Sequence, residues 1–170
     1  MKTIKLSLNT KSINAAIKEL EAYKAKLGKA AEEITHTLTR TGAELARQNA
    51  SYMGFYDDGE LVKGIKEEYV GGFGVEYAKG YVLSTAPHSA FCEFGTGVVG
   101  ADNPHPNITI PGWRYDENQH GEKGWWYMGD DGEWHWTKGM PSRPYMYETA
   151  HKLREVAEYA AAETAKRVLK

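Results

Sequence analysis

Cysteine is nearly missing: Cys92 stands alone among 170 residues, so no internal disulfide can form, which fits a reducing cytoplasmic origin. Long apolar runs are missing too. No stretch approaches the roughly 20 apolar residues needed to span a bilayer, and the opening MKTIKLSLNT has no apolar core behind its two lysines, so a soluble protein without a secretion signal is expected. Charge of one sign is also absent. With 21 Lys plus Arg against 23 Asp plus Glu, the net charge of -2 gives no polycationic footprint for wrapping nucleic acid, while a local basic patch stays open. Catalytic signatures are equally scarce. There is no Gly-x-Ser-x-Gly elbow, Walker loop or dinucleotide fingerprint, and GGFG at Gly71 to Gly74 is too short and lies between strand-like runs.

What the chain does have is order along its length. At 170 residues it is expected to be one domain, 1–170, and a chain of this size buries about 70% of its unfolded surface. Residues Lys2 to Leu8 alternate apolar and polar, which predicts a short strand. Asn9, Thr10 or Ser12 then caps a helix with an apolar stripe at Ile13, Ala16, Ile17, Leu20, Tyr23 and Leu27, with Lys24 beside it. After Gly28 the stripe resumes through Ala31, Ile34, Leu38, Gly42, Leu45 and Asn49, so one long helix with a kink or break at Gly28 is expected. A partner-binding coiled coil is the alternative use of that stripe.

MGFYDDG, before Glu60, reads as a loop, and three strands follow at Leu61 to Val70, Gly72 to Ala78 and Gly80 to Thr85. The Lys79-Gly80 pair reads as a hairpin turn, giving an antiparallel meander with Val75, Tyr77, Tyr81 and Leu83 toward the helices. From about 98 to 141 the chain changes character and gathers Gly, His and all five Trp. GWWYMGDDGEWHW predicts a hairpin about Gly129-Asp130-Asp131-Gly132, with alternate aromatics pointing to opposite faces. Ser142 and Pro144 then open a last helix with an inner face of Met146, Ala150, Leu153, Ala157, Ala160, Thr164 and Val168. The expected class is α+β: N-terminal strand, long helix, meander, aromatic hairpin insertion and C-terminal helix.

The candidate chemistry is thin. His88, His105, His120 and His135 match no HExxH or Cys/His ligand spacing, so they read as polar loop residues and no metal or cofactor is expected. Glu93 with Asp116, Asp130, Asp131 or Glu133 could form a hydrolytic carboxylate pair, but spacing fixes none of them relative to Glu93, and no catalytic residue is assigned. Trp113, Trp125, Trp126, Trp134 and Trp136 are interface candidates, since Trp dominates interface anchors and the outward half needs covering.

The segment Ala86 to Gly97, APHSAFCEFGTG, predicts a short helical turn closed by Gly95, with Glu93 partly buried between Phe91 and Phe94. A buried carboxylate must be met by a cation or by backbone N–H groups, and Arg143 is the expected partner. Pro87 to Thr96, followed by Met140 to Ala150, resembles the tail-component and tail-completion family of long-tailed bacteriophages and their prophages. The resemblance implies a non-enzymatic subunit of the virion neck or tail end, assembled in the bacterial host cytoplasm. It further implies a ring-forming homo-oligomer that contacts other neck or tail proteins and no membrane, with DNA contact only incidental along the tail axis. Glu93, Phe94, Gly95, Thr96, Arg143 and Pro144 are then a junction fixing the last helix to the sheet. GWWYMGDDGEWHWTKG is also similar to a single choline-binding repeat, through Trp125, Tyr127, Gly132 and Trp134, which implies a cell-wall or carbohydrate-binding module as the rival reading.

Overall fold

The computed structural model describes residues 7, 9–54, 59–71, 77–107 and 112–168. Its class is α+β, with long helices at both ends and two small antiparallel sheets between them. The first helix, α1, spans Thr10–Tyr52. Asn9 caps it, accepting the Ser12 amide on its side-chain oxygen at 2.9 Å, as an N-cap residue should. No break occurs at Gly28. The helix runs through it for 43 residues, about 65 Å at 1.5 Å per residue. One interior glycine costs about 1 kcal/mol, too little to interrupt a helix that is packed from Ala30 onward.

The chain then forms α2 (Glu60–Gly64), β1 (Ile65–Gly71) and β2 (Ala78–Ser84). Two of the sequence expectations are corrected here. Residues 60–64 are helical and only the remainder of the first candidate strand is extended, while Lys79 and Gly80 lie inside β2 instead of forming a turn. Most of the strand expected at Gly72 to Ala78, and nearly all of the one expected at Lys2 to Leu8, lies outside the described residues. Downstream come α3 (Ser89–Phe94), α4 (Gly97–Asp102), β3 (Trp125–Met128), β4 (Trp134–Thr137), the two-residue β5 (Gly139–Met140) and α5 (Tyr145–Val168).

These elements form two compact units. One holds α1 up to Thr41, residues 67–82 of the β1–β2 sheet and α5 from Leu153. Here β2 comes so close to α1 that a Cβ on Gly80 would sit 1.7 Å from Thr39 Oγ1. The glycine is required by close approach, which is why it interrupts nothing. Tyr69 stacks on His36 at 4.0 Å, and Tyr77 and Tyr81, expected to face the helices, are exposed. Near the end of α5, Arg167 pairs with Glu33 of α1 at 2.6 Å.

The other unit holds α1 from Gly42, α2, and residues 83–152. Its buried set is built on small residues of α1: Ala43, Ala46 and Ala50 are wholly enclosed, along with Leu61, Ile65, Ala86, Cys92 and Tyr145. Small side chains let elements pack closely around a helix, at the cost of apolar area per residue. Asn49, a polar member of the predicted stripe, is buried and satisfied: its amide donates to Thr149 Oγ1 at 3.0 Å and its oxygen accepts from Lys152 Nζ at 2.8 Å. The inner face of α5 begins at Tyr145 and Thr149, not at Met146 and Ala150. Thr149 is suited to that place because its hydroxyl donates to the Tyr145 carbonyl at 2.7 Å while accepting from Asn49.

Candidate functional site

Two features of the second unit stand out: a buried carboxylate at the start of α5, and an exposed aromatic face on the β3–β4 hairpin. Glu93 is only 7% exposed. Its Oε2 accepts the Met146 amide at 2.9 Å and its Oε1 the Tyr147 amide at 2.9 Å. These are first-turn N–H groups with no partner inside the helix, so a residue 53 positions upstream serves as the helix cap. A negative charge there also lies at the favourable end of the helix dipole.

The third partner is His105, 4% exposed, with Nε2 3.1 Å from Oε1. The Asn107 amide donates to His105 Nδ1 at 3.0 Å, which leaves Nε2 to carry the proton toward Glu93. Arg143, expected to pair with Glu93, does otherwise: its guanidinium donates to the Gly54 carbonyl at 3.4 Å and its amide to the Cys92 carbonyl at 2.9 Å. The helix amides and an imidazole N–H supply what the sequence reading sought from a cation. His105, read as a polar loop residue, is the one the sequence missed, and only its flanking Pro104 and Pro106 hint at a fixed position.

The neighbouring backbone locks this arrangement. Ser142 Oγ donates to the Glu93 carbonyl at 2.7 Å, Thr96 bridges to Met140, and Gly97 bridges to Gly139. Met140 donates to Thr96 Oγ1 at 3.3 Å, and the Pro144 carbonyl accepts the Glu148 amide at 3.0 Å in the opening turn of α5. Gly95 closes α3 at φ 79 and ψ 169, a region open essentially to glycine alone, and a Cβ there would lie 2.7 Å from the Ser142 nitrogen. Aromatic rings cover the cluster: Phe94 lies 4.9 Å from His105 and 5.0 Å from Trp113, and Tyr147 meets His105 edge-on at 5.2 Å.

The five tryptophans divide. Trp113 is half-buried and donates to the Gly95 carbonyl at 3.2 Å, so it belongs to the junction. Trp125 is half-buried against His120 at 4.8 Å. Trp126, Trp134 and Trp136 are 62%, 62% and 48% exposed. In the antiparallel register Trp126 opposes Trp136 and Met128 opposes Trp134, and residues two apart share a face, so all four occupy one side of the hairpin. Met128, 52% exposed, was missed by the sequence reading, although its parity with Trp126 gave it away.

The hairpin turn is stiffened by Asp131. Its Oδ1 accepts the Glu133 amide at 3.0 Å, and its Oδ2 lies 2.9 Å from His135 Nε2; these bonds, the Glu133 amide first, hold its carboxyl below the usual range. Asp116 is depressed likewise, chiefly by the Gly121 amide and then the His120 amide. Both acids are therefore engaged in shaping their own loops. Among the described residues, no group of three or more His, Cys, Asp or Glu is placed to hold a metal, and no helix is long and apolar enough to cross a membrane. Comparison with known proteins finds no matching family model, no similar curated protein and no similar solved structure.

Proposed function

We propose that this chain is a non-enzymatic structural subunit of a phage or prophage neck or tail end, completing the tail or joining it to the head through protein interfaces. The observation that carries the reading is the hairpin side bearing Trp126, Met128, Trp134 and Trp136, three large indoles and a thioether held open on a short, well-turned ribbon. Trp is the commonest interface anchor, and a contiguous apolar face of this kind is a recognition surface in a folded protein. The Glu93 junction suits the same role, because it anchors the frame from which the hairpin projects. The Pro87–Thr96 and Met140–Ala150 segments, which carry the resemblance to tail components, build this junction together with His105. Assembly takes place in the host cytoplasm and the subunit ends in the virion, as a ring whose contact with DNA is incidental to the path along the tail axis.

The test is Trp126→Ser with Trp136→Ser. Sedimentation is expected to show lost assembly, with itself or with neck and tail proteins, while circular dichroism stays that of the parent. Unchanged assembly sinks the reading. Planar indoles could also stack on a sugar or choline, so a saturable Trp fluorescence response to choline or glycan fragments would favour a cell-wall-binding module instead.

A further inference from the structure

The first unit contains a helix segment whose large apolar side chains are exposed. Arg167, one residue before the described end of α5, pairs with Glu33, and α1 begins at Thr10, 23 residues earlier, or about 35 Å at 1.5 Å per residue. Along that arm Ile13, Ile17, Leu20, Tyr23 and Leu27 are all exposed. They continue the steps of Ile34 and Leu38, which are half-buried. The small members Ala16 and Ala30 are buried, and the large side chains of the stripe are open at one end and half-buried at the other.

Charge selects what covers it. From Thr10 to Lys29 the arm has five lysines (11, 18, 24, 26 and 29) against Glu19 and Glu21, a net +3. The hairpin from Trp125 to Lys138 has Asp130, Asp131 and Glu133 against Lys138, a net -2 with His135 neutral. Arm on arm sets like charges together, and so does hairpin on hairpin. Arm on hairpin brings opposite charges together over two apolar surfaces. Lys24 lies beside the stripe, in sequence between Leu20 and Leu27, where its methylene stem can lie along an indole while the ammonium reaches a carboxylate of the hairpin turn. The hairpin already makes one such contact of its own, with Lys138 Nζ 5.9 Å from the Trp136 ring.

We infer that the tryptophan side of the hairpin in one copy docks on the exposed large apolar side chains of the α1 arm in a second copy. The two surfaces differ, so the contact does not close on itself in a pair; repeated by rotation it gives a ring, and otherwise a filament. Its size is modest. The nine apolar side chains, at roughly 200 Å² apiece and about half open, supply on the order of 900 Å² over both surfaces, below the roughly 1,200 Å² of a standard interface and in the range of a weak contact. Association is therefore concentration-dependent and reaches completion where many subunits make the contact together.

The inference rests on the assembly reading and names the partner of that face, and the experiment separates the two. Sedimentation velocity is run at micromolar to millimolar concentration on the full chain, with circular dichroism alongside. Lys24→Glu with Lys26→Glu, or Asp130→Lys with Glu133→Lys, is each expected to weaken self-association at least tenfold with the fold unchanged. All four substitutions in one chain are expected to restore it. Association that ignores the arm changes, or that the fourfold variant does not recover, overturns the inference. If Trp126→Ser with Trp134→Ser abolishes association under those circumstances, the assembly reading stands with a different partner surface. A parent chain that remains monomeric throughout and responds to choline or glycan fragments overturns both.

Discussion

Replacing Glu93 by alanine removes three hydrogen bonds at once, two from the first turn of α5 and one from His105, all between 2.9 and 3.1 Å. Each buried donor left without a partner costs about 1–3 kcal/mol. The three losses do not add in full, because the truncated side chain leaves space that water can enter and the amides sit at a helix end. Loss of the cap alone accounts for about 1–2 kcal/mol, and stranding the imidazole N–H and the second amide brings the expected total to about 4 kcal/mol. For a domain whose stability is about 5–15 kcal/mol, that is a large fraction. Urea denaturation followed by far-ultraviolet circular dichroism should show the midpoint falling with the slope unchanged. Glu93→Gln, which keeps an acceptor toward one amide but loses the charge, should cost about 2 kcal/mol. If Glu93→Ala unfolds within 1 kcal/mol of the parent, the cap is decorative and the junction argument collapses.

Asn49→Ala removes a buried amide together with its bonds to Thr149 and to the exposed Lys152, and an expected loss of about 2 kcal/mol is read from the same denaturation curves; a loss near zero would mean that water replaces the amide. Gly95→Ala forces a side chain into a glycine-only conformation against the Ser142 nitrogen, lowering stability by about 2–4 kcal/mol, and a melting temperature equal to the parent's would count against that geometry. Asp116, held below the usual carboxylate range first by the Gly121 amide, stabilises its loop at pH above the ordinary aspartate value. That contribution disappears as pH falls through the depressed value. The His120 and Gly121 amide resonances should accordingly titrate below the usual range, and titration within or above it would contradict the assignment.

The repetitive parts of the fold were legible in the sequence because they obey a period. The stripe from Ile13 to Asn49 marked α1, the face ending at Val168 marked α5, and the alternation around Gly129 to Gly132 marked the β3–β4 hairpin with its turn. Glycine misled twice for one reason. Gly28 was read as a break and Gly80 as a turn, whereas Gly28 is absorbed by a long helix and Gly80 is set by the proximity of Thr39, a fact of tertiary packing. Glu93 was recognisable as a buried acid from its aromatic flanks. Its partners were not, because the helix amides that meet it belong to the backbone and leave no letter in the sequence, and His105 carries no pattern linking it to a carboxylate 12 residues away. Trp113 and Trp125 looked equivalent to the other three indoles; only the register and the junction separate them.

The paired bridges Thr96 to Met140 and Gly97 to Gly139 pinch the chain together on either side of the tryptophan-bearing stretch. Beyond that pinch His105, Trp113 and Tyr115 turn back onto the frame, and the β3–β4 hairpin alone is an excursion that leaves and re-enters through one narrow doorway. Closing a loop costs only about 0.6 kcal/mol more for each doubling of its length, so the hairpin stretch from Trp126 to Trp136 can lengthen, shorten or exchange its contents while the doorway and the carboxylate behind it stay put. The recognition surface is thereby uncoupled from the frame, and a lineage of such chains could change what it grips without relearning how to fold.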